Sequence, residues 1–277
     1  MSETPHSQPN LFDRHALDAH RARSKPQSMF LQQLARDEVE DRLTLVNRTF
    51  TKPAIVSGFG KIWENFSQSA KIVTDSEVLD LEPGAHDLVI HAMSLHWAND
   101  PVGQLIQCRR ALQEDGLLLL MALGGRTLHE LRTVLAEAES QLNGGLSPRV
   151  SPMAEIRDMG ALLQRAGFAL PVADVVPQNA EYRDIFHLGR DLRLMGEGNA
   201  LSSRVKNFTP RRLFEHADTL YHQHFSTPAG RLHATFELVC LTGWCPSDSQ
   251  PQPLRPGSAK ARLADALRVP EKPLPKD

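Results

Sequence analysis

Few cysteines, no long apolar run and almost no net charge are the first features of this 277-residue sequence. The three cysteines, at positions 108, 240 and 245, are too few for a disulfide framework and favour a reducing compartment. The longest apolar run, Leu117–Leu123, is far too short to span a bilayer. A formal net charge of −2 gives no electrostatic reason to expect nucleic acid or an anionic membrane as a partner.

The remaining composition, 41% hydrophobic and 23% charged, is that of a globular protein. The first 28 residues lack the apolar core of a secretory signal, and Glu3, Asp13 and Asp18 disfavour an organellar transit peptide. We therefore expect a cytoplasmic protein without an integral membrane segment. Residues 1–28 are expected to form a flexible, solvated arm, with a partner-docking arm as the alternative. The domain proper is expected to follow at residues 29–247, and an extended Pro-rich tail at 248–277.

A strand, a helix and a second strand are predicted between Asp87 and Leu123. Leu88–Ala92 is apolar without alternation, which is typical of a strand buried on both faces. Val102–Leu112 has helical spacing and carries two arginines near its end, and Leu117–Leu123 is a second buried strand. Gly116 is predicted to supply the positive φ that the turn between them needs. These elements form a βαβ unit of a Rossmann-like, mostly parallel sheet with helices on both faces.

Ligands of such sheets bind at the carboxyl ends of the strands. Met93, Ser94, His96 and Trp97 follow the first of these two strands, so we expect them at the rim of a pocket. For His96 and Trp97 the alternative is that both merely cap the edge of the sheet.

The chain is short between its first strand and the Asp87 strand. Ala54–Gly60 is predicted to be the first strand and its turn, and only 26 positions, Lys61–His86, separate it from Asp87. One βαβ unit takes about 30 residues, so this stretch has room for one crossover and not two. We therefore expect one strand-helix pair of the complete fold to be missing.

The outer elements follow from periodicity and turn signals. The predicted helices are Phe30–Phe50, one capped by Thr127 with Glu130 three positions later, Ser151–Ala166, Ile185–Met195 and Pro210–Phe225. The last two make a helical insert at about 185–225. Leu170–Val176 and Glu181–Ile185 are predicted as separate strand segments, and Thr235–Trp244 as an antiparallel last strand.

Several blocks of sequence resemble known families. Asp-Leu-Val at 87–89, Ser-Leu-His-Trp at 94–97 and Leu-Gln-Glu-Asp-Gly at 112–116 together resemble the fourth and fifth strands of class I S-adenosylmethionine (SAM)-dependent methyltransferases. Other blocks resemble one subgroup, the bacterial and mitochondrial proteins similar to respiratory complex I assembly factor five. That subgroup is related to the malonyl-carrier O-methyltransferase of biotin synthesis. These blocks are Leu-Phe-Asp-Arg at 11–14, Ser-Leu-His-Trp at 94–97, Ser-Pro-Arg-Val-Ser-Pro at 147–152, Gly-Ala-Leu-Leu-Gln-Arg-Ala-Gly-Phe at 160–168, Asp-Leu-Arg-Leu-Met-Gly-Glu-Gly-Asn-Ala at 191–200 and Pro-Leu-Arg-Pro-Gly-Ser-Ala at 253–259.

The resemblance implies SAM as cofactor, with Gly58 and Gly60 in the cofactor loop and Met93 and Ser94 at the rim. The family places three glycines in that loop, and this chain has two, with Lys61 next. A plain strand-to-helix turn is therefore the alternative for this loop. Asp75 would bond the ribose hydroxyls if it follows the second strand, or lie beside the adenine if it follows the third. A simple turn residue is the further alternative for Asp75.

Three functions are compatible with these patterns. The first is a SAM-dependent methyltransferase acting on a protein or a carrier-bound acid, with His96 as a proton acceptor and Trp97 facing cofactor or substrate. The second is a non-catalytic binding protein, such as an assembly factor, that kept the fold and lost the site. The third is hydroxylation of an arginine in a complex I subunit, which the resemblance implies for some members. No metal-ligand spacing is visible, so we expect no metal site.

Overall fold

The computed structural model describes residues 10–250 together with residues 265, 268 and 269. The chain divides into two compact units, residues 1–246 and residues 247–277. In the second unit, the backbone N–H of Gln250 donates to the carbonyl of Ser247 over 3.2 Å. The Pro-rich block at 253–259 and the first nine residues of the expected arm lie outside the described residues.

The first unit alternates helices and strands. Its α-helices are α1 (Arg14–Arg21), α2 (Phe30–Leu45), α3 (Gly60–Trp63), α4 (Pro101–Ala111), α5 (His129–Asn143), α6 (Ile156–Arg165), α7 (Ile185–Met195) and α8 (Arg211–Phe225). Its strands are β1 (Pro53–Ser57), β2 (Lys71–Val73), β3 (His86–Ala92), β4 (Leu112–Leu123), β5 (Ala169–Tyr182) and β6 (Leu232–Trp244). Short 3-10 helices lie at Pro26–Ser28 and Leu95–Trp97. None of the described helices combines the length and the apolar character that a membrane span requires.

All six strands form one mixed sheet in the order β2-β1-β3-β4-β6-β5. β1 pairs in parallel with both β2 and β3, and β3 pairs in parallel with β4, where Ile90 lies opposite Leu119. β6 runs antiparallel to β4, and β5 runs antiparallel to β6. The predicted Rossmann-like fold, with a mostly parallel sheet and an antiparallel last strand, is confirmed.

One strand-helix pair of the complete fold is missing, as predicted. A doubly wound sheet begins 3-2-1-4-5, and here the described strands begin β2-β1-β3-β4 with nothing paired outside β2. Between β1 and β3 the described chain holds one short helix and one three-residue strand. Asp75 therefore follows the strand that occupies the second position of the fold.

Apolar layers cover both faces of the sheet. One layer packs between the sheet and α2, α5, α7 and α8, and the other packs between the sheet and α4 and α6. Neighbouring leucines of β4 belong to different layers, because successive side chains of a strand point to opposite faces. Leu119 lies in the first layer and Leu118 in the second, and each exposes 1% or less of its surface. This explains why the central strands show no alternation of apolar and polar residues.

Two local predictions are wrong. Asp115, not Gly116, has the positive φ, at 58°. Gly116 is needed for space instead, since a Cβ there would lie 2.9 Å from the carbonyl oxygen of Gln113. Thr127 does not cap α5: its hydroxyl donates to the carbonyl of Gly124, and Glu130 accepts from the hydroxyl of Thr235 on β6. Thr127 and Glu130 therefore bond to other partners, Glu130 to a residue of β6, and do not form the predicted capping box.

Several boundaries also differ from the prediction, among them the starts of β4 at Leu112, of α6 at Ile156 and of β6 at Leu232. Leu170–Val176 and Glu181–Ile185 are not separate strand segments, because β5 continues through the gap between them as a 14-residue strand paired to β6. The leading helix α2 ends at Leu45, five residues before the predicted end.

Candidate functional site

The turn after β1 is fastened to the end of β3. The backbone N–H of Gly58 donates to the hydroxyl of Ser94 over 3.1 Å, and that hydroxyl donates to the carbonyl of Ala92 over 2.9 Å. Gly60 begins α3, and a Cβ there would lie 3.1 Å from the side chain of Ile72. Three of the predicted cofactor residues, Gly58, Gly60 and Ser94, thus belong to one compact turn.

Met93 is a packing residue in this structure. Its side chain is fully buried in the core layer that contains Ile90 and Met121. Its φ is 48°, and its backbone N–H donates to the carbonyl of Met121 over 2.8 Å. The side chain of Met93 is therefore directed into the core, and a cofactor contact at this position stays a prediction.

Asp75 lies at the carboxyl end of β2 and is held by two arginines of α1. Arg21 makes a two-pronged contact, from Nη1 to Oδ1 at 2.8 Å and from Nη2 to Oδ2 at 2.9 Å. Arg14 adds a bond to Oδ1 at 2.9 Å and a second one to the carbonyl of Asp75 at 2.8 Å. Burial alone would raise the pKa of Asp75, but the two guanidinium groups outweigh it and hold this pKa below its ordinary value.

The guanidinium of Arg21 also covers the glycine turn. A Cβ built on Gly58 would overlap the guanidinium carbon of Arg21, and that carbon lies 5.5 Å from the ring centre of Phe59. Arg21 is 9% exposed, so it is enclosed and not a surface side chain. Its position joins the two features, a bare glycine and an acidic side chain, that a nucleoside cofactor would use.

The residues at this site do not fit the ribose of SAM as they are arranged. A ribose needs access to the carboxylate oxygens, and Asp75 is 2% exposed, with three hydrogen bonds from Arg14 and Arg21 to its oxygens. Backbone approach at Gly58 is blocked by the side chain of Arg21. The missing strand-helix pair also removes the third strand, which would otherwise flank this end of the sheet.

Helix α1 is held in this position along its whole length. Phe12, just before it, exchanges two hydrogen bonds between its backbone and the amide of Asn99, at 2.8 and 3.2 Å. Asp13 caps the helix at the N–H of Ala16 and pairs with Arg204 at 2.9 Å. The described part of the expected solvated arm is therefore ordered and packed onto the domain.

The other end of α1 rests on the loop after α7. His20 Nδ1 lies 3.2 Å from the carbonyl of Gly198, and the backbone N–H of Lys25 donates to the carbonyl of Leu194. Gly196 has a φ of 81°, and a Cβ there would lie 2.9 Å from the ring of Phe59. Glycine at this position thus permits both the turn and the close approach of the helix.

His96 and Trp97 meet Glu197 of that loop. The indole Nε1 of Trp97 donates to Glu197 Oε2 over 2.9 Å, and His96 Nε2 lies 3.4 Å from the same oxygen. The other ring nitrogen of His96 accepts from the backbone N–H of Leu123. The ring of Trp97 packs edge-on against Phe12 at 5.2 Å. The side chain of His96 exposes 4% of its surface, so it is fixed between partners and closed to solvent.

An open cavity of about 920 Å³ lies beside the glycine turn. Gly58, Phe59 and Gly60 form one wall, and the chain around Arg21 and the first turns of α2 form another. Asp75, Ser94, His96 and Trp97 are not among the residues that line it. The predicted site residues are therefore divided between a closed cluster and the wall of an open cavity.

Sequence reasoning missed Arg14, Arg21 and Glu197. Arg14 and Arg21 are seven positions apart, a spacing that places both on one face of a helix, and this was the available signal. Glu197 lies in a block that the resemblance already singled out. Within the described ranges, no group of three His, Cys, Asp or Glu side chains is arranged to hold a metal ion.

The chain is similar in sequence to a known family and to several curated proteins. A family profile described as a methyltransferase domain matches residues 48–120, from just before β1 into β4. The arginine-hydroxylase NDUFAF5, mitochondrial, of Danio rerio is 35% identical over 72% of this chain and 61% of its own length. The malonyl-[acyl-carrier protein] O-methyltransferase of Laribacter hongkongensis is 33% identical over 68% of this chain and 61% of its own length.

A protein from Bacillus halodurans of known crystal structure covers 75% of this chain and 98% of its own, with a TM-score of 0.49 and 14% identity. That similarity is too distant to transfer a residue role. The chain spans about three-fifths of the length of each of these two curated relatives.

Proposed function

We propose that the chain, which belongs to the class I SAM-dependent methyltransferase superfamily, is a non-catalytic member of it that acts by binding a protein partner. It is related to both the NDUFAF5 group and the malonyl-carrier methyltransferases. The observation that carries the proposal is the two-pronged ion pair between Arg21 and Asp75, laid across Gly58. A methyl donor would need this carboxylate and this glycine, and the chain uses both to seat its own helix.

Several contacts that hold α1 over Asp75 come from the sequence blocks that resemble the subgroup. Leu-Phe-Asp-Arg at 11–14 supplies the start of α1, Ser-Leu-His-Trp at 94–97 supplies the partner of Phe12, and the 191–200 block supplies Glu197 and Gly198. These blocks contact one another, and none of their residues lines the open cavity beside the glycine turn. Their mutual contacts support a role in shaping a surface for a partner, and an assembly factor is such a protein.

A methyltransferase of carrier-bound acids is the second candidate. It is favoured by the intact Gly58–Ser94 hydrogen bond and by the open cavity beside the glycine turn. The Laribacter relative is named for this reaction. In this alternative α1 would have to leave Asp75 before SAM could bind. The hydroxylation named for the Danio rerio relative stays a prediction, as does the expected cytoplasmic location, since that relative is named as mitochondrial.

A titration of SAM into the purified protein tests the proposal. We expect no binding heat at SAM concentrations up to about 1 mM, because the ribose carboxylate is engaged. The same titration into Arg21→Gln and into the exposed α6 variant Arg165→Gln separates an effect of Asp75 from a general effect of losing an arginine. Binding of SAM to the wild-type protein with a dissociation constant near 10 µM or below would overturn the proposal in favour of the methyltransferase.

A further inference from the structure

A second cavity of about 430 Å³ lies on the same side of the molecule as the loop after α7. It is bounded by the end of β4 at Leu123, by α5, by the end of α7 and by the first part of α8. Its volume is within the range of about 300–1,000 Å³ that small-molecule sites occupy.

The body of this cavity is apolar. Its walls come from several helices and strands that meet there and from residues 149–153 between α5 and α6. Most of the lining side chains are apolar, among them Leu123, Leu131, Leu135, Met153, Phe214 and Phe236. Such a lining favours an apolar chain or ring.

Four arginines and one carboxylate contribute to the same cavity. Arg149 is neutralised by Glu139 at 2.7 Å, and Arg204 is neutralised by Asp13 at 2.9 Å. Arg23 and Arg193 are exposed, and neither has a carboxylate partner within the described part of the chain. The lone carboxylate, Glu197, already accepts from Trp97 and faces His96. The cavity therefore combines an apolar body with two unneutralised cations.

The two free cations belong to segments that touch. The backbone N–H of Lys25 donates to the carbonyl of Leu194 over 2.8 Å, and this bond brings the residues next to Arg23 and Arg193 together. The segment at 202–212 adds Lys206, Arg211 and Arg212, of which Arg211 pairs with Glu215, and its Val205 lines the cavity while being 45% exposed. Positive charge is thus concentrated on one side of an apolar cavity.

We propose that this cavity binds an amphipathic anion, a single apolar chain that ends in a carboxylate or a phosphate. The chain lies among the leucines and phenylalanines of the body, and the anionic end lies between Arg23 and Arg193. Guanidinium groups suit either end group, because both offer pairs of oxygens to a planar donor. This site is separate from Asp75, so it does not depend on whether SAM binds.

Calorimetric titration with four ten-carbon probes tests the proposal. Decanoate, decyl phosphate, decanol and decylamine share one chain and differ in end group, and all are used below their micelle concentrations. We expect decanoate or decyl phosphate to bind about tenfold or more tightly than decanol, and decylamine to bind least. The comparison of the two anions distinguishes a carboxylate site from a phosphate site.

Paired variants locate the anion. Arg23→Gln with Arg193→Gln is expected to weaken the better anion about tenfold and to leave decanol unchanged. Arg157→Gln with Arg165→Gln removes two exposed arginines of α6 outside the cavity and serves as the matched control. Met153→Glu, which places a carboxylate in the lining, is expected to weaken the anion at least as much, with thermal melting used to verify folding.

Three results would overturn the proposal. One is the absence of binding by all four probes. Another is decanol binding as tightly as the anions, which would make the site purely apolar. The last is an equal loss of anion affinity in the Arg157 and Arg165 double variant and in the Arg23 and Arg193 double variant. That result would mean that the anion is attracted by the net charge of the protein and not by these two arginines.

Discussion

Arg21 of α1 and Asp75 at the end of β2 are 54 positions apart in sequence and meet in a two-pronged ion pair of 2.8 and 2.9 Å. Asp75 exposes 2% of its surface, so its charge is compensated almost entirely by protein groups. This pair attaches α1 to the edge of the sheet, at the position after the second strand where the resemblance predicts a carboxylate for a cofactor.

Removing Arg21 should destabilise the protein strongly. Arg21→Gln leaves a buried carboxylate with only Arg14 as a charged partner, and breaking a buried pair costs about 3 kcal/mol. Urea denaturation measures the change in the free energy of unfolding. Arg165→Gln, at an exposed position of α6, should change this free energy by about 0.5 kcal/mol or less. Equal effects of the two variants would mean that α1 is not held by its ion pair.

Stability should fall in acid because of Asp75. The pKa of Asp75 is lowered in the folded protein, so its contribution is fully present above its unfolded value, near pH 3.9. That contribution is lost as the pH falls through the lower folded pKa. The difference in unfolding free energy between the wild type and Asp75→Asn should therefore shrink between about pH 5 and pH 2. A difference that stays constant over this range in urea titrations would contradict the assignment.

Glu197 should stabilise the protein mainly as a hydrogen-bond acceptor and less through its negative charge. Glu197→Leu leaves the buried indole N–H of Trp97 without a partner, at a cost of about 1–3 kcal/mol. Glu197→Gln keeps an acceptor oxygen and should cost less. Both are compared by urea denaturation with Glu82→Leu, which changes an exposed glutamate. If Glu197→Gln were as harmful as Glu197→Leu, the charge facing His96 would be the larger contribution.

Ser94 should protect the glycine turn. Ser94→Ala removes the acceptor of the Gly58 N–H and the donor to Ala92, so the Gly58 amide should exchange with solvent much faster. Hydrogen exchange followed by NMR measures this amide directly. The matched variant Ser203→Ala, at an exposed serine, should leave the rate unchanged. Unaltered protection of Gly58 in Ser94→Ala would show that other contacts hold the turn.

Local signals in the sequence were sufficient for the fold. The β3-α4-β4 unit is contiguous, and its strands lack alternation because both faces are buried, so pattern and length identify it. The absent strand-helix pair followed from counting positions between β1 and β3. Local patterns gave a wrong prediction where a distant strand offers hydrogen-bond partners. Thr127 and Glu130 were predicted to form a capping box of α5, but their partners include residues of β6.

The candidate site was less predictable because its decisive contacts are long-range. Gly58, Ser94 and Asp75 were found from their places after strands, which the topology determines. Arg21 could not be predicted in this way, since nothing near it in the sequence specifies where α1 packs on the domain. Its seating depends on Gly198 and on the glycine at 196, which are more than 170 positions away. A functional assignment from the strand ends alone would therefore omit the side chain of Arg21, which covers both Gly58 and Asp75.

The two margins of the sheet limit how another chain could join it. β2 is the outermost strand on one side and has three residues, of which Lys71 is one. β5 is outermost on the other side and is long, but it carries Pro171, Asp174 and Pro177. Shortness, charge and proline all hinder the addition of a further strand. A partner protein would therefore have to recognise side chains and loops of this molecule, not extend its backbone ladder.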